Sequence, residues 1–169
     1  AGLEQREIDR LLGTEWGIED VYPLTPLQEG IFFHSLLAPG SGVYLGQVVI
    51  RFRGELDLPL VEKACRIVVE RHAVLRTSFH HGELRRPLQV VHGRADVELV
   101  VEDWRSLPDA GRQERLQALL GSDRRRGFDL ARPPLLRWTL IRASEAESWF
   151  LWTNHHVIVD GWSYAAISK

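Results

Sequence analysis

Two adjacent histidines, His155 and His156, end an apolar, aromatic run, and an Asp160-Gly161 pair follows four residues after the second. Histidine is the side chain whose ordinary pKa lies nearest neutrality, so it is the usual proton carrier in catalysis. If Trp149 to His156 is a strand, Phe150, Trp152, Asn154 and His156 face one way. Trp149, Leu151, Thr153 and His155 then face the other. Neighbours on a strand cannot aim at one point, so the pair is not expected to chelate a metal together. A zinc site also wants three or four ligands, and Cys65 has no suitable partner nearby, so no metal is expected. Taken alone, two histidines at a strand end read equally well as structural groups bonded to backbone. The Asp-Gly pair tips the balance. Asp160 falls where strand turns into helix, and can either cap that helix or pair with a buried arginine. Gly161 permits a positive φ or the close approach of a ligand. His156 could then point into a channel.

A second cluster is Arg71-His72-Ala73-Val74-Leu75-Arg76-Thr77-Ser78-Phe79. It reads as a helix end with favourable cations running into a strand. In that strand Leu75, Thr77 and Phe79 share one face and Arg76 takes the other. An arginine inside a central strand needs an acid partner, because an unpaired buried charge is costly. A third cluster is Tyr22 to His34, in which Thr25-Pro26-Leu27-Gln28 forms a capping box with Pro at the first helical position. His34 lies inside the helix that follows and reads as structural. From Gly111 to Arg142 there are eight arginines against Glu114, Asp123 and Asp129. Arg124-Arg125-Arg126 is either a solvated helix end or an anion-binding patch.

The elements that must position these groups follow from periodicity. Leu3, Ile8, Leu11 and Leu12 predict a short amphipathic helix, and the capping box predicts another from about Pro26 to Leu37. Gly42 to Arg53 is β-rich, with Val48, Ile50 and Phe52 alternating against Val49, Arg51 and Arg53. Asp57 and Pro59 open a helix with Leu60, Val61, Ala64, Cys65 and Val68 on one face. Val74 to Phe79 and Leu88 to Val91 are strands around the His80-His81-Gly82 turn, and Val97 to Val101 is another. Ser106 to Asp109 caps a helix carrying Leu116, Leu119 and Leu120. After Pro133-Pro134, Leu135 to Ile141 and Ser148 to Asn154 form a hairpin across Ser144-Glu145-Ala146. Trp162 to Ile167 begins a last helix. Strands interleaved with helices predict an α/β fold, a two-layer α/β sandwich with a mixed sheet.

Bulk composition sets the outer bounds. The 169 residues are 44% hydrophobic and 26% charged, ordinary for a globular chain with one core. A formal net charge of -2 argues against general nucleic-acid binding. No apolar run approaches the ~20 residues of a membrane span, so no membrane is expected. The single Cys65 excludes an internal disulfide and fits a reducing, cytoplasmic setting. Met is absent and the chain opens on Ala1-Gly2, which points to a piece of something larger.

The segment His155-His156-Val157-Ile158-Val159-Asp160-Gly161 resembles the HHxxxDG signature of the condensation domains of nonribosomal peptide synthetases, and Trp162-Ser163 agrees with it. Arg71 to Phe79 is similar to that family's RHxxLRTxF motif. Tyr22 to His34 resembles its YPLTPLQEGMLFH block, with Ile31-Phe32 in place of Met-Leu. Arg126 to Leu130, followed by Pro133-Pro134-Leu135, resembles its FDLxxPPL region. The likeness runs from about Asp20 to Ser163.

What the resemblance implies is specific. Such domains have a chloramphenicol-acetyltransferase-like fold of two similar lobes. Residues 20–169 correspond to the N-terminal lobe, stopping before the C-terminal one, with residues 1–19 a linker and short helix. The family forms a peptide bond between aminoacyl or peptidyl thioesters, both carried on 4'-phosphopantetheine arms of carrier proteins. No cofactor is then bound directly. His156 is the implied catalytic residue, as base or positioning group. His155, Asp160, Gly161 and Arg76 support it, with Arg76 paired to Asp160, and Trp162 and Ser163 line the substrate channel. The implied partners are the upstream and downstream peptidyl carrier proteins, an adjacent adenylation domain and the missing C-terminal lobe. The Arg124–Arg126 patch then suits an acidic carrier protein or the arm's phosphate. Three alternatives stay open: a non-catalytic lobe that serves docking or folding, an epimerization domain, and a coenzyme-A acyltransferase. Epimerization domains usually read DGVSW where this chain has Asp160-Gly161-Trp162-Ser163, and plant-type acyltransferases lack the doubled histidine.

Overall fold

The computed structural model describes residues 17–82 and 84–167. The helix predicted over residues 3–12 lies outside them. In order, the elements are strand β1 (Ile18–Pro23), helix α1 (Pro26–Leu37), β2 (Leu45–Arg53), α2 (Leu58–Arg71), a 3₁₀ turn (Ala73–Arg76), β3 (Thr77–His80) and β4 (Leu88–His92). Then come β5 (Leu99–Asp103), α3 (Asp109–Arg126), β6 (Leu136–Ser144), β7 (Glu147–His155) and α4 (Ser163–Ile167).

The local chemistry explains most of these boundaries. Thr25 and Gln28 close the expected capping box, with Gln28 N–H donating to Thr25 Oγ1 at 3.3 Å and Thr25 N–H to Gln28 Oε1 at 3.0 Å. Asp57 caps α2 by accepting the Leu60 N–H at 3.1 Å. Leu60 itself departs from the predicted apolar face. It sits in the first turn and is 62% exposed, while Cys65 and Val69 are the buried side chains of α2. Helix α3 also differs from expectation, since Pro108 occupies the N-cap with no side-chain hydrogen bond. The predicted strand over Val97–Val101 starts two residues later, at Leu99.

The strands form two sheets. One is mixed, in the order β2-β7-β6-β5, with β5 parallel to β6 and the other pairs antiparallel. The second is antiparallel, in the order β1-β4-β3. The expected mixed sheet is therefore present, and the three-stranded sheet adds to it. The β6–β7 hairpin turns at Ser144 to Glu147, as the sequence predicts. On one face of the mixed sheet, Ile141, Ala143 and Trp149 pack with Leu116 of α3 and with Trp104. On the other, Trp138 and Trp152 join Cys65 and Val69 of α2, Phe32 of α1 and Ile167 of α4. Burying these large apolar groups between layers is the main stabilising contribution.

Arg76 shows why β3 begins late. The sequence placed it within a strand, yet it ends the 3₁₀ turn. From there its Nη1 donates to the Val69 and Glu70 carbonyls at 2.9 and 2.7 Å, the open end of α2. Its Nε donates to the His92 carbonyl at 3.0 Å, and its Nη2 meets Glu19 Oε2 at 2.7 Å. One guanidinium thus joins the end of α2, the end of β4 and β1.

Candidate active site

The last residues of β7 enter the site between two neighbouring stretches of chain. Leu45 of β2 pairs with His155, and Gly46 with Asn154. His155 N–H donates to the Leu135 carbonyl at 3.0 Å, and His156 N–H to the Tyr44 carbonyl at 2.8 Å. Both histidines therefore hang from a fixed backbone. Gln28 of the capping box reaches across to Val157, donating from Nε2 to its carbonyl at 3.3 Å. The Tyr22–His34 segment is thereby tied to the His155–Gly161 segment.

The two imidazoles occupy different environments: β7 ends at His155, one residue short of the expected strand, and His156 lies in the turn that follows. His155 is buried, and its ring lies near Tyr44 and Phe128. It borders a cavity of about 500 Å³ that Phe32, Ser35, Phe79 and Arg126 also line. Its Nδ1 accepts the Val157 N–H at 3.2 Å, so in the neutral ring the proton sits on Nε2. That Nε2 lies 3.2 Å from Ser35 Oγ, whose own proton goes to the Ile31 carbonyl at 2.7 Å. Every hydrogen-bonding position of His155 is committed. His156 is the opposite tautomer. Its Nδ1 lies 3.0 Å from the Val159 carbonyl, which can only accept, so Nδ1 holds the proton. Nε2 keeps its lone pair and meets no partner among the described residues.

Burial pushes the His155 imidazole down to about 4, with the neighbouring His156 adding to the effect. His80 and His92 share Ser78 Oγ, at 2.8 and 2.7 Å. Burial holds both of these below the ordinary imidazole value as well. Each of the three binds a proton more weakly folded than unfolded. Their stabilising contribution is therefore complete above about pH 6.5 and is lost as pH falls through 6.5 towards the folded values. His155 alone should remove about 2 kcal/mol by pH 5. Urea midpoints at pH 7.5 and pH 5 test this, and equal midpoints contradict it. The surface carboxylate Asp103, held at about 2 by Arg105, titrates below that window.

Asp160 does not pair with Arg76. It is exposed, and its Oδ1 accepts from Ser163 N–H at 2.9 Å and Ser163 O–H at 2.6 Å. Those bonds hold its carboxyl below the ordinary range. Of the two roles open to it, Asp160 takes the helix cap, opening α4, while Arg76 takes Glu19 and three carbonyls. The reason is local: a carboxylate three residues before a free helix N–H needs no distant partner. Gly161 adopts no positive φ, and the space beside its Cα is open. Trp162 is 90% exposed, and Ser163 is turned to Asp160. Of the arginine run, Arg124 donates to the Gly42 carbonyl and to Gln47 Oε1, so it braces the loop before β2.

Three residues not singled out in the sequence stand beside His156. A side-chain Cβ placed on Gly46 would come 2.6 Å from Tyr164 Oη, 3.4 Å from Asn154 Oδ1 and 3.4 Å from His156 Cε1. Gly46 is thus the bare floor beneath three polar groups. Alternation does put Asn154 on the face of His156, and Tyr164 follows Asp160 by one helical turn. No sequence signal marks Gly46. Gly46→Ala should displace this cluster and destabilise the chain by about 1–3 kcal/mol, read as a lower thermal midpoint. An unchanged midpoint would show that the cluster yields without strain.

The chain is thus built on a mixed sheet, with a doubled histidine at a strand end and an Asp-Gly pair behind it. Residues 18–169 match the condensation-domain family, and the chain belongs to that family. It is 46% identical over 163 residues to a linear gramicidin synthase polypeptide of Brevibacillus parabrevis, covering 96% of this chain and 3% of that protein. A second linear gramicidin synthase polypeptide from the same organism is 44% identical over 180 residues, covering 100% and 4%. The chain thus spans a few per cent of the length of these relatives. Among solved structures, a mutant starter condensation domain of rhizomide synthetase RzmA in complex with C8-CoA superposes with a TM-score of 0.82 at 22% identity, covering 98% of this chain and 36% of that one. A four-domain nonribosomal peptide synthetase bound to AMP and glycine gives 0.79 at 20% identity, covering 96% and 12%. The fold is the chloramphenicol-acetyltransferase-like α/β fold of condensation domains. Among the described residues, no helix is long and apolar enough to cross a membrane.

Proposed function

We propose that residues 20–169 are the N-terminal lobe of a condensation domain that forms peptide bonds between carrier-bound thioesters, with His156 as its proton acceptor. The observation that carries this is the contrast between the two histidines. His155 has both ring nitrogens committed, whereas His156 has Nδ1–H fixed on Val159 and a free Nε2.

The chemistry then balances simply. The acceptor amine attacks the donor carbonyl carbon, a C–N bond forms and the nitrogen acquires positive charge. His156 Nε2 takes that proton. The tetrahedral intermediate collapses, the C–S bond breaks, and the thiolate leaves with the proton from His156. The Val159 carbonyl orients the ring and favours the imidazolium while it exists. The oxyanion is met by the Gly161 N–H or by His156 once charged. The phosphopantetheine arms of the upstream and downstream carrier proteins supply both acyl groups as thioesters. Trp162, exposed at the start of α4, forms the channel rim with Ser163, and Arg76 keeps the supporting frame. An adenylation domain and a C-terminal lobe complete the working protein in the cytoplasm.

The test is transfer between two loaded carriers by the complete two-lobe domain. The expected product is a dipeptidyl thioester on the downstream carrier. Hydrolysis of the donor thioester without amide formation would overturn the assignment, and α-carbon inversion alone would favour an epimerization domain.

A further inference from the structure

Given the proton-acceptor role of His156, on which this inference rests, we infer that the Tyr164 hydroxyl contacts the acceptor substrate and holds the attacking amine by accepting one of its N–H bonds. Three groups converge over the bare Cα of Gly46: Tyr164 Oη, Asn154 Oδ1 and the Cε1 edge of His156. Asn154, fully buried in β7 and paired with Gly46, determines what the tyrosine can do. Its Oδ1 accepts the Tyr164 O–H. A phenol has one proton, so with that proton turned inward its remaining capacity is as an acceptor. The ring is held edge-on against Trp152, with centroids 5.3 Å apart, which fixes where the oxygen sits. Burial raises the phenol above its ordinary value, more than the Asn154 bond lowers it, so the group is a neutral acceptor at working pH.

A neutral acceptor beside a proton acceptor suits a primary amine. One amine N–H goes to Tyr164 Oη and the second faces His156 Nε2, which leaves the nitrogen lone pair directed at the thioester carbonyl. As the C–N bond forms, the nitrogen becomes cationic and the Tyr164 bond strengthens. His156 removes one proton, and the hydroxyl of Tyr164 neither gains nor loses one. Tyr164 thereby selects acceptors with two N–H bonds.

The experiment uses the complete synthetase module with a loaded donor carrier and soluble acceptors, the N-acetylcysteamine thioester of an amino acid and its α-N-methyl counterpart. Tyr164→Phe should raise the half-saturating concentration of the primary amine about tenfold, with donor loading unchanged. Because the change also removes the donor to buried Asn154 Oδ1 and lowers the thermal midpoint, both acceptors are assayed on the folded variant well below that midpoint. The parent protein should prefer the primary over the N-methyl amine, and that preference should collapse in the variant; a parent without the preference overturns the role of Tyr164. An unchanged preference, or an equal loss with both acceptors, would overturn the role of Tyr164. His156→Ala run in parallel separates the two questions. If it is inactive while Tyr164→Phe behaves as the parent, only the tyrosine contact fails. If His156→Ala is fully active, the assignment beneath it fails too.

Discussion

His156→Ala in the complete two-lobe domain should lower single-turnover amide formation by ~10²–10⁴-fold, the usual contribution of a positioned general base. The protein should keep its thermal midpoint, because the His156 ring is half-buried and makes one hydrogen bond, to the Val159 carbonyl of the turn that follows. His155→Ala should behave in the reverse order. Its ring fills space between Tyr44 and Phe128 and satisfies the Val157 N–H, so its loss should cost ~1–3 kcal/mol of stability before any effect on chemistry. Rates measured on folded protein, alongside melts of each variant, separate the two. A folded His156→Ala domain with full rate for several donor and acceptor pairs would remove His156 from the mechanism.

Arg76→Ala should be the most damaging change to the frame, at about 1–3 kcal/mol for each buried carbonyl left without its donor. The loss leaves the Val69, Glu70 and His92 carbonyls without their donor in a site where Arg76 is only 7% exposed. Glu19 contributes less, since its side chain is 54% exposed. Asp160→Ala should cost far less than Arg76→Ala, because it removes only an exposed cap from a short helix. Denaturant titration of both variants tests the contrast. Equal losses would mean that the two residues share one ion pair after all, and a loss of a few tenths for Arg76→Ala would mean that its bonds are not formed in solution.

The difference between those two residues also shows what the sequence could and could not reveal. Capping at Thr25 and Asp57 and the hairpin across Glu145 were legible, because each follows from local spacing, whereas the expected strand over Trp149–His156 ends one residue early and leaves His156 in a turn. The acid requirement of Arg76 was legible in kind and mistaken in partner. Most of its bonds go to backbone carbonyls, which no residue type announces, and its carboxylate lies 57 positions away at Glu19. Gly46 escaped for a similar reason. Its importance lies in a missing Cβ opposite Asn154, a register fact that exists only once β2 pairs with β7.

The opposed tautomers of the histidine pair have a spectroscopic consequence. Side-chain nitrogen resonances distinguish a protonated ring nitrogen from a bare one, so the two residues should give reversed patterns, Nε2–H for His155 and Nδ1–H for His156. His155 stays neutral until about pH 4. Its signals should therefore stand still across the neutral range and serve as an internal reference within the site.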